Sequence, residues 1–150
     1  MAFRFALQSL LALRQSQEGQ EEALLLNANR KVDAVRREIE SCQEYLRHLN
    51  LLRAQSLNSG MSGAELNFDL LCEAAIRDRK RALEEQLVAV EKGRDQQFEV
   101  FRQARMRREI LESLRDRQFR QYEIERDRRQ QRSLDDAFLM RREFLRRERR

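Results

Sequence analysis

The residues best suited to chemistry in this chain are Cys42, Cys72 and His48, the carboxylates Glu18, Glu21 and Glu22, and an arginine-rich run towards the end. Two cysteines and one distant histidine supply too few ligands at usable spacing for a metal site, and two cysteines make no disulfide framework, so they read as small core thiols in a reducing compartment. Glu18, Glu21 and Glu22 would need desolvation to act as acid and base, and a thin helical chain gives them none; they read as a solvated helix face. His48 lies among leucines as a boundary residue. Arg126, Arg128, Arg129 and Arg132, then Arg141, Arg142, Arg146, Arg147, Arg149 and Arg150, could track phosphates. Interspersed acids (Glu123, Glu125, Asp127, Asp135, Asp136, Glu143, Glu148) and the lack of an aromatic stacking platform favour protein contact over nucleic acid. No glycine-rich phosphate loop or nucleophile elbow is present, so neither an enzyme nor a cofactor is expected.

The elements that must carry these residues are set by one interruption, Asn58-Ser59-Gly60-Met61-Ser62-Gly63 followed by Ala64-Glu65. It holds two of the four glycines, and proline is absent from the whole chain. Ser62 and Glu65 stand in capping-box spacing, which opens a new helix. The predicted fold is all-α: helix 1 over about 3–57, a turn over about 58–63 and helix 2 over about 64–147, forming one antiparallel coiled-coil hairpin across 1–150. Charged residues make up 38% of the chain and tryptophan is absent, so the helices should share a narrow seam and enclose no walled pocket for a small substrate.

The seam can be traced. Phe3, Leu7, Leu10 and Leu11 open helix 1 on one face, and the polar passage from Arg14 to Glu22 follows. Leu25, Ala28, Val32, Val35, Ile39, Cys42, Leu46 and Leu49 then run at alternating steps of three and four. Ile76, Leu83, Leu87 and Val90 keep the same period on helix 2. A turn near residue 61 makes facing positions sum to about 122, which sets Ile39 against Leu83 and Val35 against Leu87. The seam is expected to be dry near the turn and polar in the middle, where local opening is easiest. Beyond roughly Gln118 helix 2 should lack an intramolecular partner, since at the usual rise helix 1 reaches about 80 Å and helix 2 about 130 Å.

Charge is uneven along the chain. From Phe101 to Arg150 there are 17 arginines against 10 Asp plus Glu, a net of +7 within a total of +5. The end of helix 2 is thus the electropositive end, suited to an acidic protein surface or to phosphates. No stretch approaches the ~18 apolar residues that span a bilayer, and the start shows no cleavage-like site, so a soluble, cytoplasmic protein is expected.

Three stretches carry a resemblance. Phe3-Arg4-Phe5-Ala6-Leu7-Gln8-Ser9-Leu10-Leu11-Ala12-Leu13-Arg14 is similar to the start of the flagellar export protein FliJ family. Leu111-Glu112-Ser113-Leu114-Arg115-Asp116-Arg117-Gln118 and Gln131-Arg132-Ser133-Leu134-Asp135-Asp136 resemble later parts of it, in the same order. The resemblance implies a non-enzymatic component of the flagellar type III export apparatus, peripheral to the inner membrane. It implies a coiled-coil stalk that inserts into the ring of the export ATPase FliI, promotes its assembly, couples it to the export gate protein FlhA and binds export chaperones. It further implies ring contacts by Phe3, Leu7, Leu11, Leu111, Leu114, Phe119 and Tyr122, and gate contacts by Tyr45, Leu49, Leu71 and Ala75. Leu49 fits the seam as well, whereas Tyr45 lies off it. The stalk of a virulence-type secretion system and a generic arginine-rich adaptor, with nucleic-acid binding behind them, are the competing readings.

Overall fold

The computed structural model describes residues 3–148, which form two α-helices, α1 (Gln8–Ser59) and α2 (Gly63–Glu148). α1 stops because Gly60 takes a positive φ of 96°, the left-handed conformation that terminates helices and suits glycine. α2 starts on the expected capping box: the Ser62 N–H donates to Glu65 Oε2 at 2.9 Å, and the Glu65 N–H donates to Ser62 Oγ at 3.2 Å. Hydrogen bonding to its carboxylate from Ser62, chiefly from the backbone N–H and then from the side chain, holds the Glu65 carboxyl below its ordinary pKa. A Cβ added at Gly60 would meet nothing within 4 Å, so its backbone angle alone resists substitution. Gly60→Ala is therefore expected to destabilise by about 1 kcal/mol in a thermal melt, and Gly60→Asn by less.

The chain forms two units, one of residues Gln17–Ala104 and one of the residues before Gln17 with those after Ala104. The division of α1 falls inside the polar passage Arg14–Glu22.

In the Gln17–Ala104 unit the helices run antiparallel with the expected pairing. Arg36 meets Glu91 at 2.6 Å, Arg79 meets Glu38 at 3.0 Å and Gln97 Nε2 donates to Glu21 Oε2 at 2.6 Å. Their numbers sum to 127, 117 and 118, which straddle the 122 that the hydrophobic pattern requires, as flanking pairs on either side of a seam do. Val35, Ile39, Cys42 and Leu83 form the buried cluster, with Ile76, Leu87 and Val90 packed against it. Val32 is buried as well. Near the turn, however, the seam is not the dry zipper that the apolar spacing suggests. Arg53 and Glu73 occupy the next inward positions, and they form a 2.7 Å ion pair that Arg77 joins from the following turn. The leucines there stand one or two residues off the seam, so the period carries the charges inward and the apolar groups outward.

The other unit begins differently from expectation. Residues 3–7 precede α1, so helical spacing does not govern them. Phe5, which lies off the face of Phe3, Leu7, Leu10 and Leu11, is buried, whereas Leu7 and Leu10 on that face are exposed. The non-helical start also covers more length per residue than a helix would. Phe3 accordingly reaches both Phe119 and Tyr122, and the unpartnered part of α2 begins at Ile124 instead of near Gln118. From Ile124 to Glu148 every side chain is exposed.

Candidate partner-binding surfaces

The first surface is built where the chain start meets α2. Leu11 is wholly enclosed, at 0% exposure, and Phe5 is buried beside the first turn of α1. The Gln8 N–H donates to the Phe5 carbonyl at 3.2 Å, which fixes the entry into the helix. Phe3 packs edge-on to Phe119 with centroids 5.3 Å apart and a 75° tilt, and lies 5.7 Å from Tyr122. Gln15 and Glu112 join the two helices at 3.4 Å, and Arg108 pairs with the same glutamate.

Of the residues expected at this surface, Leu7 and Phe119 are exposed, while Phe3, Leu111, Leu114 and Tyr122 are half-buried. Leu11 supports the surface from inside. Sequence reasoning missed Met106 and Ile110, exposed residues that line a shallow groove with Leu114 and Arg117 on the outer side of α2. Their spacing of four, continued by Leu114, was the signal available.

The second surface lies at the turn end. Tyr45 is 47% exposed and Leu71 is 63% exposed, Ala75 is exposed beside them in the chain, and Leu49 is half-buried. Beyond these, Leu52, Met61 and Phe68 line an open groove with Ser56 and Ala64. Phe68 is 66% exposed, a large aromatic side chain set in water. Glu73 is buried, and its carboxyl is held below the ordinary carboxylate range by the hydrogen bond from Arg53, assisted by the charge of Arg77 and opposed by burial.

That shift has a direction that can be tested. The folded chain keeps Glu73 ionised to lower pH than the unfolded chain does, so its stabilisation is complete above the unfolded value and is lost as the pH falls through the folded value. Glu73→Gln is expected to lower the melting temperature at neutral pH and to flatten the loss of stability on acidification. Melting curves taken from about pH 7 down to about pH 3 would show it.

A model of the family described as Flagellar FliJ protein matches residues 3–149 of this chain. The chain belongs to the FliJ family. No curated protein and no solved structure gave a match. Membership gives the chain a flagellar, export-related role in a family that is structural and non-enzymatic. The FliJ resemblance noted in three stretches thus extends over nearly the whole chain, and the two-helix hairpin is the fold that carries it.

Among the described residues no group of three His, Cys, Asp or Glu side chains could hold a metal ion. Cys42 is a buried free thiol in the core cluster and Cys72 is a half-buried one. No helix among the described residues is long and apolar enough to cross a membrane.

Proposed function

We propose that this chain is the stalk-like component of the flagellar type III export apparatus, seated in the ring of the export ATPase FliI and coupling it to the export gate protein FlhA. The observation that carries the reading is the outward placement of large apolar residues in both units of a FliJ-family chain. Leu7, Ile110 and Phe119 face water in one unit, and Tyr45, Phe68 and Leu71 in the other. Exposed aromatic and aliphatic groups above a thin, self-sufficient core are what an interaction protein presents to partners. In this reading the first group meets the ATPase ring and helps its subunits assemble, and the second meets the gate. Export chaperones are further partners, and the protein works in the cytoplasm at the inner membrane through its protein contacts.

The test is the ATPase rate of FliI from the same organism, measured across enzyme concentrations with and without this chain. Stimulation is expected at low enzyme concentration, where assembly limits the rate, and should fade at high concentration. An unchanged rate with no co-elution would remove the chain from the ATPase ring.

A further inference from the structure

The last four turns of α2 have an amphipathic composition that neither protein surface uses. Leu134, Ala137, Phe138, Leu139, Met140, Phe144 and Leu145 are all exposed. Projected at the α-helical angle, all of them but Leu139, which lies on the opposite side, fall within about 160° of the circumference. Phe138 is 67% exposed and lines an open groove with Leu145 and the arginines Arg141, Arg142 and Arg146. From Ala137 to Arg150 the sequence holds six arginines against two glutamates. Arg146 is paired with Glu143 at 3.7 Å, whereas Arg141, Arg142 and Arg147 have no ion pair among the described residues.

We infer that this end of α2 binds directly to an anionic phospholipid surface, lying in the plane of the headgroups. Its apolar arc is wide, and its middle holds Arg141 and, two turns on, Glu148. In a helix–helix seam such an arginine needs a carboxylate from the facing helix, as Arg53 has in Glu73, and is strongly unfavourable without one. At a lipid surface its long stem lies along the acyl boundary and its guanidinium reaches the phosphates. A nucleic acid would satisfy the arginines but leave Phe138, Met140, Phe144 and Leu145 in water. An anionic bilayer satisfies both sets, since the apolar side chains enter the interface and the spare arginines meet negative headgroups. The contact is independent of the ATPase and gate surfaces and would hold with both removed.

Flotation of the full chain with vesicles tests it. Vesicles of equal parts phosphatidylcholine and phosphatidylglycerol are expected to carry the protein up, and vesicles of phosphatidylcholine alone to leave it behind. Arg141→Gln with Arg142→Gln should weaken binding by about thirtyfold, and Phe138→Ser with Leu145→Ser by at least about tenfold. Both variants should keep the parent's helicity and melting temperature, because these side chains are exposed. The inference is overturned if neither vesicle binds, or if both bind equally. It is also overturned if the Phe138→Ser, Leu145→Ser chain floats like the parent, since the arginines alone would then be meeting a polyanion of the kind a nucleic acid also presents.

Discussion

Leu83→Asp is expected to separate the paired helices of the Gln17–Ala104 unit at ordinary temperature, and Leu83→Ala to destabilise them by about 2–5 kcal/mol. Leu83 is the one residue of α2 in the fully buried part of the cluster, where it meets Val35, Ile39 and Cys42 from α1. A two-helix seam has few such residues, so no second layer can take over the packing that is lost. The alanine variant leaves a cavity that the stiff helices close only in part. The aspartate adds a charge with no partner in an apolar cluster, and the chain can hydrate that charge only by opening. Val88→Asp, on the exposed side of the same helix, is the matched control and should stay within about 0.5 kcal/mol of the parent. Thermal melting followed by circular dichroism separates the three chains, and a Leu83→Asp variant that melts like Val88→Asp would remove this cluster from the seam.

The second large effect is on partner binding. Tyr45→Ala combined with Leu71→Asp is expected to weaken binding to the cytoplasmic part of the export gate by about thirtyfold or more, the range of a lost aromatic anchor at the centre of an interface. Both side chains stand largely in water in the free chain, so the substitutions remove little from its own packing. Helix content and melting temperature should hold near the parent values, which distinguishes a lost contact from a lost fold. Titration by calorimetry reads the affinity directly. Unchanged affinity would move the gate contact away from this stripe and leave the groove at Leu52, Met61 and Phe68 as the next surface to vary.

The buried pair at the turn bears on both results. Arg53 and Glu73 stand at inward positions, with Leu52 one residue and Leu71 two residues away. An ion pair there gives this end of the seam less apolar packing than the cluster around Leu83 has. It also leaves Leu52, Phe68 and Leu71 on the outside, where a partner can reach them. The weaker seam and the stronger binding surface at the turn are thus two consequences of one register.

The sequence by itself determined the two helices, their antiparallel pairing and its register. These follow from local rules: Ser62 and Glu65 can cap only a helix that starts there, and alternating steps of three and four commit one face of each helix to its partner. It also pointed to the family, because the matching stretches are linear. Only the tertiary structure decided which apolar residues are available. Periodicity treats Phe3, Leu7 and Leu11 as one helical face, yet the chain enters α1 at Gln8, so Phe5 is buried, Leu7 is exposed and Phe3 reaches Tyr122. Likewise spacing alone could not show that the seam continues through Arg53 and Glu73, because the favourable partner of each charge lies on the other helix, twenty residues away in sequence and 2.7 Å away in space. Burial belongs to pairs of elements, and a pattern read along one element gives only the face that is offered.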